Sequence, residues 1–296
     1  MTIAAGFKCH DGVVLCADTQ ETRRQIIKVR VPKLVAIPDS NVVGMTSKLL
    51  FSGAGEGPFI DKLIARAWEA SQRANQTMPD VTAAIEKSIK DAHDEYGKIY
   101  QPGYLPEAHL IYGVWVANCG TKLFLSVGPV VNEVYSHECV GIGEVLARYI
   151  ADRMFSPETM STRTTEILSV YLLSEAKEYV DGCGGDSVVA TLANGGQLHT
   201  VDADEVSWIT THLRGFEARS SSLSLRAADL NVPDEDFDRL VEIFLEDAKE
   251  SRKVHKRLRQ MAQEAGFQAI REAEKRDAER EAAPRRSASH KSEADP

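Results

Sequence analysis

The chain contains no C-x-x-C pair, no H-x-x-x-H or H-E-x-x-H spacing and no G-x-x-x-x-G-K-[ST] loop. These absences leave metal and nucleotide roles without support and point to no cofactor. Its cysteines, Cys9, Cys16, Cys119, Cys139 and Cys183, are odd in number and widely scattered. That pattern argues against a disulfide framework and fits a reducing cytoplasm. No stretch approaches the roughly 20 apolar residues of a membrane span, and no basic segment followed by a long apolar one opens the chain, so neither membrane insertion nor secretion is expected. Basic charge is also short: 35 Lys and Arg against 44 Asp and Glu give a net charge of -9. Such a balance argues against a nucleic-acid binder and leaves peptides and proteins open as partners.

What is present is enough apolar material for an extensive core, 43% of 296 residues, in one large domain or two smaller ones. Residues 3 to 9 and 12 to 18 are short apolar runs around His10-Asp11-Gly12, which predicts a hairpin at the start of the chain. Further strands are predicted at Lys33 to Ile37, Leu49 to Ser52, Ala108 to Ala117 and Lys122 to Val127. Ser187 to Ala193 and Gln197 to Asp202 form a last hairpin through Asn194-Gly195-Gly196. Two helical patterns, Pro58 to Asn75 and Asp80 to Tyr100, lie between the early strands; two more, Gly143 to Met154 and Ser156 to Tyr179, precede the last hairpin. Ser156-Pro157-Glu158 suits a helix start, with serine as cap and proline in the first turn. Helix pairs set between blocks of strands predict an α+β layered domain over residues 1–205, since a doubly wound parallel sheet would alternate single strands and helices. Residues 206–280 read as a helical extension, with Phe237, Leu240, Val241, Phe244 and Leu245 at helical spacing, and 281–296 as a disordered tail.

The second residue, Thr2, is the strongest chemical clue. A threonine left terminal by removal of Met1 carries both a hydroxyl nucleophile and an α-amine. With a reference pKa of about 7.7 to 8.0 that amine is a ready general base. Asp18 closes the second strand and Lys33 opens the third after a polar loop with Arg23, Arg24 and Arg30. The two read either as a surface ion pair or as a pair that tunes the terminal amine. Gly53-Ala54-Gly55-Glu56-Gly57 fails as a dinucleotide turn because Pro58 stands where the third glycine belongs. It reads as a plain turn or as a backbone N–H aimed at an oxyanion. Cys183, in Gly182-Cys183-Gly184-Gly185-Asp186, has no histidine beside it in sequence and reads better as a small buried residue than as a nucleophile.

Thr2-Ile3-Ala4-Ala5-Gly6-Phe7-Lys8 and Asp11-Gly12-Val13-Val14-Leu15-Cys16-Ala17-Asp18-Thr19-Gln20-Glu21-Thr22 resemble the start of proteasome β-type subunits and their bacterial ring-protease relatives. The resemblance covers residues 2 to 202. It implies a four-layer αββα sandwich of the N-terminal nucleophile type, with Thr2 as nucleophile, Asp18 and Lys33 as its tuning pair, Gly53 at the oxyanion hole and Thr22 binding substrate. Glu21 and Phe51 are placed near the substrate pocket by the same analogy. Where the family has a serine between two glycines, Gly141-Ile142-Gly143 has none; where it has an aspartate and a serine before Gly-Gly, this chain has Val180 and Cys183, with Asp181 displaced by one. The function implied is a threonine-type endopeptidase subunit of a homo-oligomeric ring, acting on polypeptides with an unfoldase or an α-type ring as partner. A non-catalytic assembly subunit and a small-molecule amidase are the alternatives.

Overall fold

The structure, a computed structural model, describes residues 2–23, 27–39, 41, 44–99, 106–254, 256, 257 and 260. Met1 and the tail expected at 281–296 lie outside the described residues. The chain divides into two compact units, Met1–Leu213 and Arg214–Pro296, rather than at residue 205. The first contains two five-stranded antiparallel sheets and a small hairpin.

One sheet is built from β1 (Ile3–Cys9), β2 (Gly12–Asp18), β10 (His137–Gly141), β11 (Ser187–Ala193) and β12 (Leu198–Thr200), in the order β10-β1-β2-β11-β12. The other is built in sequence order from β5 (Leu34–Ile37), β6 (Ser47–Gly55), β7 (Ala108–Val116), β8 (Gly120–Val127) and β9 (Val130–Val134). Between them in sequence, β3 (Gln20–Arg23) and β4 (Ile27–Arg30) pair, among the described residues, only with each other. The polar segment between Asp18 and Lys33, expected as a loop, is thus largely a hairpin. Also missed were β9 and β10, whose mixed residues carry no clean alternation.

Side chains alternate across a strand, and in β1 and β2 both faces are covered, which is why the sequence runs there are continuously apolar. Ile3, Ala5, Phe7, Val14 and Cys16 join one buried cluster; Ala4, Val13, Leu15 and Ala17 join another. In β6, Leu49 and Phe51 face a third cluster, while Leu50 joins Val13 and Leu15 between the sheets. Full burial of each Val, Leu, Ile or Phe among them favours folding by about 1.5–3 kcal/mol, and of each alanine by less.

The two outer clusters are closed by helices. α1 (Gly57–Arg73) and α2 (Met78–Ile99) contribute Leu63, Ala67, Ile85 and Ile89 against β6 and β7. α3 (Glu144–Met154) and α4 (Thr162–Tyr179) contribute Ala147, Ala151, Leu172 and Ala176 against β1 and β2. Helices, sheet, sheet and helices therefore alternate with three apolar cores, the α+β arrangement expected.

The fourth helix starts six residues later than its predicted Ser156. Met160 donates its backbone N–H to the Ser156 carbonyl in a turn, and the cap is Ser161, whose Oγ accepts from Thr164 N at 3.2 Å. Asp11, in the β1–β2 turn, accepts from Thr162 N at 2.8 Å. Two of the orphan N–H groups of a helix start are satisfied there, one by a residue 151 positions away that no local pattern reveals.

The division between the units falls inside α5 (Ala203–Ala228). Val206 and Ile209 of its first half are buried in the cluster of α3 and α4. In the second unit residues 234–254 are helical; Phe216 and Phe244 pack with ring centroids 4.8 Å apart, and Arg219 pairs with Asp247. Among the described residues no helix is long and apolar enough to cross a membrane.

Candidate active site

Asp18, the last residue of β2, has no solvent exposure. An ionised carboxylate is tolerated there only if its lone pairs are filled by strong donors. Oδ1 accepts from Lys33 Nζ at 2.6 Å, Thr2 Oγ1 at 3.1 Å and the backbone N–H of Ile3 at 3.2 Å. Oδ2 accepts from the backbone N–H of Gly184 at 2.9 Å. Lys33 also donates to the Gln20 carbonyl. An ammonium at the site is thus held by a carboxylate and a carbonyl.

Local structure explains why residues 2, 18 and 33 meet. The β1–β2 register pairs Ala4 with Ala17, so the start of one strand lies beside the end of the other. After β2 the chain leaves as the β3–β4 hairpin and returns, with Val31 N donating to the Thr19 carbonyl at 2.8 Å. Lys33 is then fixed to the second sheet, because Ser52 Oγ donates to its carbonyl at 2.9 Å.

The segment after α4 closes the other side. Gln20 N donates to the Gly184 carbonyl at 3.0 Å, and Asp186 N donates to Thr19 Oγ1 at 2.7 Å. Lys177 reaches from α4 to Ser187 Oγ at 2.6 Å. Thr2 itself is 6% exposed, and its carbonyl accepts from Gly143 N at 3.4 Å. Gly141 pairs with Ile3 and has φ +96°; a Cβ there would lie 2.3 Å from the Thr2 carbonyl oxygen. Glycine is required both for the left-handed backbone and for that approach.

Thr2 and Lys33 open onto a cavity of about 620 Å³, whose wall also includes Glu21, Gly53, Gly141 and Ile142. Gly53 belongs to β6 rather than to a turn, and is needed where that strand runs close to β7: a Cβ would lie 2.5 Å from the His109 carbonyl oxygen. Phe51 does not approach the cavity. It is fully buried toward α1 and α2, because its neighbours Leu50 and Ser52 take the opposite side of the strand. Thr22 lies on β3 opposite Lys28.

Two further sequence candidates separate. Asp181, expected from the resemblance as a displaced accessory acid, is exposed in the turn following α4; from the segment after it, the backbone N–H of Gly184 reaches Asp18. Cys183 is buried, and a Cβ on Gly143 would sit 3.0 Å from its Sγ. Burial, reinforced by the Asp18 charge and opposed by Lys33, pushes its thiol up to about 11. A thiol that stays protonated near neutral pH is a poor nucleophile, which agrees with reading it as a small buried side chain. Sequence reasoning quoted the strings that contain Gly141 and Gly184 but gave neither glycine a place in the site; the structure sets Gly141 against the Thr2 carbonyl and Gly184 N–H against Asp18. Among the described residues no group of three or more His, Cys, Asp or Glu side chains could hold a metal ion.

The arrangement presents the secondary hydroxyl of Thr2 at the wall of a cavity, with the Asp18 carboxylate and the Lys33 side chain grouped beside it. That suits nucleophilic attack on a carbonyl and subsequent proton exchange.

No protein-family model matches the chain, and no curated protein matches it. The fold is nevertheless shared with solved structures. Anbu (ancestral beta-subunit) from Yersinia bercovieri superposes with a TM-score of 0.60 at 13% identity, covering 78% of this chain and 99% of that one. Anbu from Hyphomicrobium sp. strain MC1 gives 0.60 at 14%, with 75% and 97% covered. The helical assembly of the Anbu complex from Pseudomonas aeruginosa gives 0.61 at 12%, with 76% and 96% covered. At such identities the likeness establishes the fold alone. It also corrects the family expected from sequence: the chain was read as a proteasome β-type subunit or bacterial ring protease, whereas these similar structures are Anbu proteins.

Proposed function

We propose that the chain is a threonine-type amide hydrolase that cuts peptide bonds as one subunit of a self-assembled complex. The observation that carries this reading is the convergence of Thr2 Oγ1 and Lys33 Nζ on Asp18 Oδ1, at 3.1 and 2.6 Å, beside a cavity large enough for a peptide side chain. Under this reading Met1 is removed. Thr2 Oγ attacks the substrate carbonyl while the freed α-amine takes its proton. Lys33, paired with Asp18, opposes protonation of that amine and so favours its neutral, proton-accepting form. The Gly53 N–H stabilises the oxyanion. The amine then returns the proton to the departing nitrogen as the C–N bond breaks, leaving an ester on Thr2, and a water activated by the same amine hydrolyses the ester. Self-assembly is supported by the fold shared with an Anbu complex described as a helical assembly.

A second reading, an assembly subunit without activity, is favoured by one observation: Ile142 lines the cavity beside Thr2 and the Cys183 thiol is pushed up to about 11, at positions where the resemblance to proteasome β-type subunits would lead one to expect hydroxyls. The experiment is intact-mass measurement of the purified protein combined with turnover of unfolded polypeptide and of small amides by the parent and by Thr2→Ala. Loss of Met1 and loss of turnover in the variant support the peptidase reading. Retained Met1, or turnover unaffected by the substitution, overturns it. Hydrolysis confined to small amides would shift the reading to an amidase of the same chemistry.

A further inference from the structure

The turn that carries the Gly184 N–H to Asp18 is Gly182-Cys183-Gly184-Gly185, three glycines in four residues. Glycine loses more conformational freedom on folding than any other residue, and the segment has only the Cys183 side chain with which to anchor itself. Its geometry must therefore be imposed from outside. Part of the restraint comes from α4 and its cap: Cys183 N donates to the Val180 carbonyl at 3.1 Å, and Lys177 Nζ reaches the Gly185 carbonyl at 3.3 Å. The rest comes from the end of β2 and the start of β3.

Thr19 fixes the far end of the turn. Its N–H donates to the Asp186 carbonyl at 3.1 Å, and its Oγ1 accepts from Asp186 N at 2.7 Å. Gln20 holds the near end and the middle. Its backbone N–H donates to the Gly184 carbonyl at 3.0 Å, and its side-chain Nε2 donates to the Gly182 carbonyl at 3.3 Å. The same amide lies over Gly184 so closely that a Cβ there would sit 2.6 Å from Gln20 Oε1. Strand alternation permits this: Glu21 lines the cavity, so the side chain one residue earlier takes the other side of β3. The Gln20 carbonyl meanwhile accepts from Lys33 Nζ.

We infer that Gln20 is a positioning residue for the reaction, whose side-chain amide locks the glycine turn and thereby holds both partners of Asp18, the Gly184 N–H on one oxygen and Lys33 on the other. Gln20 is not part of the cavity wall; it acts through the turn and through Lys33. Without the amide the turn regains freedom, and Gly184 N–H leaves Asp18 Oδ2 for part of the time. A buried carboxylate oxygen left without its donor is costly, so Asp18 turns toward other donors and its hold on Lys33 loosens. The ammonium then opposes protonation of the Thr2 amine less effectively. The effect on turnover rests on the hydrolase reading above, whereas the clamp rests on the contacts alone.

The test compares the parent with Gln20→Ala and Gln20→Met. Methionine keeps the length that covers Gly184 but has no N–H to give Gly182. In the first arm kcat, KM and their pH dependence are measured on unfolded polypeptide, with thermal unfolding of the same preparations to set a temperature at which all three are folded. In both variants kcat should fall by about tenfold or more, a part of what a positioned general base contributes. KM should change little, and the lower limb of the kcat profile should move to higher pH as the amine becomes easier to protonate. In the second arm the alkylation rate of Cys183, which is 7% exposed and sits inside the turn, is followed by peptide mass spectrometry. Opening of the turn should raise that rate by about tenfold or more in both variants. A parent-like kcat and pH profile in Gln20→Ala overturns the inference, as does a Gln20→Met protein that behaves as the parent. A lower kcat with an unmoved lower limb and unchanged Cys183 labelling would mark a contribution to fold stability alone and also overturn it. A parent without turnover whose Cys183 nevertheless becomes reactive in both variants would instead overturn the hydrolase reading and leave the clamp standing.

Discussion

Gly184 donates its backbone N–H to Asp18 Oδ2 at 2.9 Å, while the other oxygen of that carboxylate takes Lys33, Thr2 and Ile3. One buried aspartate thereby ties the end of β2, the start of β1, the entry to β5 and the turn after α4. Its charge serves the site and its four acceptor contacts serve the fold, so the two roles can be separated by substitution.

Asp18→Asn removes the counter-charge from Lys33, whose side chain is 10% exposed, yet keeps the size of the group. Breaking a buried pair in this way should destabilise the protein by about 3–5 kcal/mol. Thermal unfolding should register that loss. Turnover should fall by about a hundredfold or more at temperatures where the variant remains folded, because the ammonium that tunes the base is no longer held. Parent-like kcat/KM would contradict the role given to Asp18.

Gly141→Ala places a methyl group against the Thr2 carbonyl in a backbone region that alanine avoids. We expect a loss of about 1–3 kcal/mol in stability, together with a fall in kcat larger than any change in KM, since Thr2 is displaced while the cavity wall is little altered. Denaturant titration and steady-state kinetics on the same preparation check both parts.

Thiol labelling should be selective. Cys9, Cys16, Cys139 and Cys183 are buried and Cys119 is exposed. Burial pushes Cys9 and Cys183 up to about 11 and Cys16 up to about 12, and raises Cys139 as well. Brief treatment of the native protein with an alkylating reagent near pH 7.5 should add one label, at Cys119, and denaturation should release all five. Rapid native labelling of Cys183, located by peptide mass spectrometry, would contradict its burial and protonation.

Stability should pass through a plateau between about pH 6.5 and 8.5, the reference values of imidazole and thiol in the unfolded chain. His93 and His137 have their pKa values lowered chiefly by burial, His137 against the pull of Asp152. The unfolded chain takes up those protons first, so their contribution is present above about pH 6.5 and is lost as pH falls below it. The buried thiols act in the opposite sense: the unfolded chain ionises first, and stability declines as pH rises above about 8.5. Melting temperatures measured across pH 5 to 10 should decline on both sides of that plateau.

The backbone organisation was legible wherever one physical signal dominated locally. The continuous apolar runs at residues 3 to 9 and 12 to 18 marked strands covered on both faces, and the stripes carrying Leu63 and Ala67, or Ile85 and Ile89, marked α1 and α2. The β3–β4 hairpin was not legible, because its residues are polar and pair, among the described residues, only with each other. Phe51, placed near the pocket by analogy, lies elsewhere because the face a side chain takes is not known until register is, and here it faces α1 and α2.

The sequence by itself determined the elements and the chemical types available: a hydroxyl at residue 2, a carboxylate ending one strand, a lysine opening another, and glycines before the last hairpin. Local periodicity and turn chemistry are encoded by neighbouring residues, which is why they can be read one window at a time. Only the tertiary structure decided that Asp18 would take the backbone of Gly184 as its late partner, that Asp11 would start α4, and that carboxylates from β3, α1 and the start of α3 would line one cavity. Those contacts join residues up to 166 positions apart, and they are selected by burial of both sheet faces and by the need to satisfy each buried polar group, conditions that exist only once the layers have closed.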